Sequence, residues 1–318
     1  MNLLYVAGLG RSGSTLLERA LAQLPGVCGL GEVVFLWERG IANNERCGCG
    51  EPFLSCPFWH EVGQAAFGGW DQVDVDRITA LRATVDDVKF VPRLLLSGGS
   101  GEFGTRLREY LEYYERLYAA ARTVSGCSVI VDSSKFTSLA YILSHSERLD
   151  LSLVHILRDP RAVAYSWTKV VKRPEIAGQD VYMPRFSPAY MSSLYVGHHA
   201  LLEVLRWRGV PGVRVRYEDF VERPIQELRR VASLGGFDVD ERAVRGATDG
   251  TLRLETVHTV SGNPSRFQTG NVSLRRDEAW RAGMPRRQRA LVTLMTAPSM
   301  LGYRYPVPLA VRDDDDQP

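Results

Sequence analysis

The chain has 318 residues, 45% hydrophobic and 24% charged, with a formal net charge of +2. This is ordinary globular composition, enough for one large α/β domain or two small ones, and the near-balanced charge argues against bulk nucleic-acid binding. No stretch approaches the roughly 20 apolar residues needed to span a bilayer. Met1 to Ala7 lacks the basic leader and full apolar run of a secretory signal, so a cytoplasmic protein without an integral membrane segment is expected.

In chain order, the first element is an apolar run, Leu3 to Ala7, that ends in Gly8-Leu9-Gly10-Arg11-Ser12-Gly13-Ser14-Thr15; Leu16 to Leu24 then follows at helical spacing. Strand, glycine-rich turn and helix together make an anion cradle, because glycines let the backbone approach a ligand and the first-turn N–H groups point at it. Gly8 and Gly13 have the spacing of a nucleotide-triphosphate P-loop, with a hydroxyl pair at the end. Ser14 stands where that motif needs lysine, and the basic residue, Arg11, comes before the second glycine.

Residues 40 to 100 are less regular and read as an insertion over the sheet edge. They hold Cys47, Cys49 and Cys56, three of five cysteines, in a stretch that ends at His60. Three readings stay open for this cluster: plain packing thiols, a disulfide or redox pair, and a zinc site with His60 as fourth ligand. Phe53, Phe58, Trp59 and Trp70 are open between a substrate-facing wall and core packing. Thr105 to Thr123 is an amphipathic helix with Leu107, Leu111, Tyr114, Leu117 and Tyr118 on one face.

Three further apolar runs, Ser128 to Val131, Leu151 to Leu157 and Gly212 to Arg216, read as buried parallel strands joined by crossover helices. They lead into Asp132-Ser133-Ser134-Lys135, Arg158-Asp159-Pro160-Arg161 and Tyr217-Glu218-Asp219-Phe220. Asp159 is a good N-cap, with Pro160 in the first helical position. A helix from about Pro224 to Leu234 stops at Gly235-Gly236, and Asp313 to Asp316 lie in an acidic tail (residues 309–318) expected to be disordered. In open α/β sheets, ligands bind beyond the carboxyl ends of strands, so the cradle and these three polar segments should converge on one rim.

Taken together, the motifs resemble those of sulfotransferases that use 3′-phosphoadenosine 5′-phosphosulfate (PAPS), in particular bacterial, tyrosylprotein and carbohydrate members. Gly10 to Leu16 resembles the family's 5′-phosphosulfate loop, and Leu157 to Trp167 its 3′-phosphate motif, with an arginine and a serine eight residues apart. Arg216-Tyr217-Glu218-Asp219 resembles a third block. Gly262-Asn263-Pro264-Ser265-Arg266-Phe267, followed by Asp277-Glu278-Ala279-Trp280-Arg281, is similar to the C-terminal segment. The resemblance spans roughly residues 3 to 305 and implies one domain over 1–308, with a three-layer P-loop-type α/β fold whose central parallel sheet is flanked by helices.

It also implies a set of roles. Arg11 would stabilise the leaving phosphate, with Ser12, Gly13, Ser14 and Thr15 around the 5′-phosphate. Arg158 and Ser166 would take the 3′-phosphate, Tyr217 and Ser265 would contact the nucleotide, and Lys135 would stabilise the sulfuryl group. An acceptor hydroxyl needs a base, and Glu32, 21 residues after Arg11, matches the catalytic glutamate of such relatives. Cytosolic small-molecule sulfotransferases instead use a histidine after the segment matching Ser133 to Phe136. None stands there, and His145 is too far along a helix. The implied co-substrate is PAPS, with no metal required and no metal among the site residues. The implied acceptor is a small-molecule, carbohydrate or lipid hydroxyl, and His258 is open between substrate contact and a structural role. A nucleotide kinase and a non-catalytic nucleotide-binding module are the competing readings.

Overall fold

The computed structural model describes residues 1–97, 100–173, 176, 180–240, 242 and 250–307. Five strands, β1 (Asn2–Ala7), β2 (Val27–Gly29), β3 (Val129–Lys135), β4 (Asp150–Leu157) and β5 (Gly212–Arg216), form a parallel sheet in the order β2-β3-β1-β4-β5. Strand β1 shows why such strands read as unbroken apolar runs. Leu3, Tyr5 and Ala7 enter one core, Leu4 and Val6 the other, and all are essentially inaccessible. The three-residue edge strand β2 was too short to be legible in the sequence. So was a separate antiparallel hairpin, β6 (Thr251–Leu254) with β7 (Gly270–Ser273).

Helices α1 (Ser14–Leu21), α2 (Pro57–Phe67), α3 (Val75–Val85), α4 (Val91–Ser97), α5 (Gly101–Ser125) and α6 (Thr137–Leu143) precede β4. After it come α7 (Pro160–Ser166), α8 (Pro188–Trp207), α9 (Tyr217–Glu222), α10 (Pro224–Gly235), α11 (Ala279–Gly283) and α12 (Arg286–Gly302). Leu17 and Leu21 of α1 and Leu228 and Val231 of α10 cover one face of the sheet. The apolar sides of α5 and α6 cover the other, giving three layers. As expected, Asp159 caps α7 by accepting from Arg161 N at 2.9 Å, and α10 stops at Gly236 with φ 69°.

The segment 40–100 differs from its expected form. Its described residues carry three helices and pack on α5, because Phe53, Trp59, Val62, Ile78, Leu81 and Val85 continue the core begun by Leu107, Tyr110, Tyr114 and Leu117. Helical pattern was masked there by short lengths and intervening glycines. The tail from residue 309 lies outside the described residues. Among the described residues no helix is long and apolar enough to cross a membrane.

Candidate active site

Strand order alone selects the position of the site. The chain leaves β1 toward β2 and β3 on one side and later adds β4 and β5 on the other, so a crevice opens beyond the carboxyl end of β1. A cavity of about 640 Å³ lies there, within the range of small-molecule sites. Each strand delivers a residue to it: Arg11 after β1, Glu32 after β2, Lys135 at the end of β3, Arg158 after β4 and Tyr217 after β5. Gly13, Ser14, Thr15, Ser166 and Ser265 also line it. Ser12 does not; it is fully buried, and its hydroxyl has no hydrogen-bond partner among the described residues.

The glycine loop is tightly clamped. Gly13 has φ 89°, and a Cβ there would sit 2.4 Å from Cδ2 of Tyr217, so only glycine fits under that ring. Trp167 closes the other side, donating from Nε1 to Gly10 O at 3.0 Å. α1 opens at Ser14 with no side-chain cap, leaving its first amides for an external acceptor. Arg11 holds a left-handed backbone, φ 72°, of the kind stored at functional sites. Its guanidinium lies 5.2 Å from the Trp167 ring centre and 3.0 Å from Met183 Sδ, and its Nε has no partner among the described residues. Burial depresses its pKa, with Glu32 opposing.

Glu32 and Lys135 form an ion pair, with side chains 13% and 11% exposed, and Lys135 also donates to Ser133 O at 3.0 Å. The pairing depends on a register slip between β1 and β3 after Tyr5, which sets Lys135 beside Ala7 with φ 70°. Glu32 is held from behind, its amide donating to Val260 O at 2.8 Å. Buried Glu18, on α1, joins the two loops: one oxygen accepts from Gly31 N, the other from Ser133 Oγ at 2.6 Å. Burial pushes its carboxyl up from 4.5 to about 7, against the lowering effect of those hydrogen bonds.

This raised value has a sign. The folded chain binds the Glu18 proton more tightly than the unfolded chain, so stability is full below pH 4.5 and falls as pH rises toward 7. At about 1.4 kcal/mol per pH unit, the displacement amounts to about 3 kcal/mol. Glu18→Gln should therefore unfold like the parent near pH 4.5 but be more stable at pH 8, by up to about 3 kcal/mol. Denaturant unfolding at the two pH values checks this; equal stabilities at pH 8 would refute it.

Arg158 is buried and already partnered. It donates to Arg11 O at 2.8 Å and to Asp277 Oδ2 at 2.9 Å, and its guanidinium stacks 4.7 Å from the Tyr217 ring centre. Asp277 thus occupies a fork suited to a planar anion. Burial raises the Asp277 pKa, but Arg158 and the Ala279 amide outweigh it and hold the carboxyl below its usual value. If a phosphate takes this fork, Asp277 repels it. Asp277→Asn should then tighten binding of adenosine 3′,5′-bisphosphate by about tenfold, and Arg158→Ala should weaken it by at least as much. Calorimetry that gives the parent affinity for both variants would exclude a phosphate at Arg158.

The cavity walls are Phe35, Phe136, Trp167, Met183, Tyr190 and Leu194. Phe53, Phe58, Trp59 and Trp70 do not line it. Phe53 stacks on Trp59 at 5.1 Å, and both are fully buried, so core packing is their role. The cavity residues that escaped the sequence reading include Arg19, Arg39 and His198. Arg19, 1% exposed, holds the Ser265 turn through Ser265 O at 2.9 Å; Arg39 bonds Ser261 Oγ at 2.8 Å; His198 faces Thr137 Oγ1 at 3.1 Å. Each sits inside a helical stretch, where spacing alone marks it as an ordinary polar residue. His258 does not reach the cavity and lies instead among the cysteines.

No protein-family model matches the chain, and no curated protein matches it in sequence. Solved structures do resemble it. The sulfotransferase domain from the curacin biosynthetic pathway aligns over 96% of this chain and 98% of its own, with TM-score 0.50 and 13% identity. The sulfotransferase domain of the Synechococcus PCC 7002 olefin synthase aligns over 96% and 95%, with TM-score 0.49 and 20% identity. A sulfotransferase from Mycobacterium avium aligns over 96% and 78%, with TM-score 0.45 and 12% identity. At such identities the likeness to the curacin-pathway domain establishes architecture: this chain has the P-loop-type α/β fold seen in sulfotransferase domains.

Proposed function

We propose that the protein transfers a sulfuryl group from PAPS to a hydroxyl acceptor, as a single catalytic domain over residues 1–308. The observation that carries this reading is the convergence of Arg11, the Glu32–Lys135 pair and Arg158 on one cavity, around a glycine loop with no P-loop lysine. The shared fold with a sulfotransferase domain supports it. The cavity also suits the donor: among the described residues, buried Arg11 Nε and Arg158 Nε have no partners, and the uncapped start of α1 offers amides to an anion.

In this reading the 5′-phosphate lies on the amides of Gly13, Ser14 and Thr15 and the hydroxyls of Ser14 and Thr15, with Ser12 supporting the loop from below. The 3′-phosphate takes the Arg158 fork beside Ser166, displacing Asp277, while Tyr217 and Ser265 border the nucleotide. Sulfuryl transfer is an in-line displacement resembling phosphoryl transfer. The acceptor oxygen bonds to sulfur, the bond from sulfur to the bridging oxygen breaks, and the electron pair leaves on the 5′-phosphate next to Arg11. Lys135 swings from Glu32 onto the sulfuryl oxygens, which frees Glu32 to accept the acceptor's proton.

The acceptor is a hydroxyl of a sugar, glycolipid or other metabolite, and the aromatic walls favour one with an apolar face. The test is an acceptor screen with radiolabelled PAPS, preceded by melting with adenosine 3′,5′-bisphosphate. A rise in melting temperature is expected. No shift with the bisphosphate, together with turnover of ATP and Mg²⁺, would replace this reading with a kinase.

A further inference from the structure

The cysteines left open by the sequence come together with a histidine from the far end of the chain. Sγ of Cys47, Cys49 and Cys56 and Nδ1 of His258 all lie within 4.8 Å of one another. Cys49 and Cys56 are 3.7 Å apart, and His258 Nδ1 lies 3.2 Å from Cys56 and 3.9 Å from Cys47. Zinc bonds of about 2.3 Å to sulfur and about 2.0 Å to nitrogen give tetrahedral edges of about 3.8 Å between sulfurs and about 3.5 Å from sulfur to nitrogen. The Cys49–Cys56 spacing is close to the first edge and the two His258 spacings lie on either side of the second, and all five cysteines of the chain are free thiols. His60, the ligand suggested by spacing, is exposed on α2 one turn past Cys56; the histidine that arrives is 202 residues from Cys56.

We propose that Cys47, Cys49, Cys56 and His258 hold a structural zinc ion. The donor set, three thiolates and one imidazole, suits zinc, and with all four positions filled by protein the site is closed and structural rather than catalytic. Cys47 and Cys56 are inaccessible, and none of the four ligands lines the active-site cavity. The surroundings hold the ligands in place. His258 stacks on Phe58 at 5.2 Å, and Cys56 immediately precedes α2.

The ion clips the inserted segment to the chain leading into the Gly262 block. Next to His258, Thr259 O accepts from Gly48 N at 2.9 Å, and Val260 bridges Gly31 and accepts from Glu32 N. The zinc thereby braces the strip that fixes the Glu32 backbone, a task separate from the sulfuryl chemistry, for which no metal is invoked.

The test is metal analysis of untagged protein purified anaerobically, without added zinc or chelator. About one zinc per chain is expected, falling to near zero in Cys56→Ser and staying near one in His258→Cys, which keeps four ligands. Chelated protein given cobalt should develop a thiolate-to-cobalt charge-transfer band at one equivalent, with release of protons. If Cys56→Ser fails to fold, the cobalt titration of the parent chain decides alone. A parent chain without zinc that takes up no cobalt, or one carrying a Cys49–Cys56 disulfide, would overturn the proposal.

Discussion

Glu32→Gln is expected to bind adenosine 3′,5′-bisphosphate as the parent does while its sulfuryl transfer falls by about 10³-fold or more. A positioned base contributes about 10² to 10⁴, and glutamine keeps the shape of glutamate without a site for the acceptor's proton. The fold should tolerate the change, because the Glu32 amide, not its side chain, makes the bond to Val260 O. Lys135 keeps its bond to Ser133 O and loses only its carboxylate partner, so the cavity becomes more cationic and anion binding is retained or improved. Single-turnover transfer with radiolabelled PAPS measures the first quantity and calorimetry the second. Unchanged transfer would remove Glu32 from the chemistry and direct attention to His198, another proton acceptor at the cavity wall.

Arg11→Ala should slow transfer by about 10²-fold or more, the usual scale for losing one preorganised charge-stabilising donor. Its guanidinium touches Met183 and Trp167, while the carbonyl that anchors Arg158 belongs to the backbone and survives the substitution. Alanine also carries a Cβ at φ 72°, so the strain at this position is unchanged and a lower rate would report the lost charge. The melting temperature should stay close to the parent's. Arg11→Lys should recover part of the rate, since it restores charge without the planar fork. Near-parent turnover in Arg11→Ala would show that the loop cation does not act on the leaving group.

How far the site was legible varied with the distance over which its geometry is set. The loop from Gly8 to Thr15, the capped start of α7 and the stop of α10 are written locally, because glycine, proline and N-cap residues act on their own backbone. The resemblance supplied Glu32 and Lys135 by position, but nothing in spacing announced that they pair, since that contact requires the β1–β3 register slip. Glu18 was invisible for a related reason: on α1 it reads as a solvated charge, and only the closure of two loops over it makes it a buried acceptor. The resemblance gives Arg158 a 3′-phosphate role, but no local pattern says that Asp277, 119 residues on, is the carboxylate the fold seats on it.

The sequence by itself determined the strands buried on both faces, the order of the polar segments that follow them, and the glycine loop whose cation is Arg11 instead of a P-loop lysine. Those properties depend on neighbours within a few residues, where backbone conformation and side-chain size act directly. Tertiary structure alone decided the packing of residues 40–100 on α5, the Glu32–Lys135 and Arg158–Asp277 pairs, and the meeting of Cys47, Cys49 and Cys56 with His258 rather than His60. Each is a contact between segments far apart in the chain. Which segments meet is set by sheet order and by the burial of whole faces, a property of the assembled layers that no local pattern encodes.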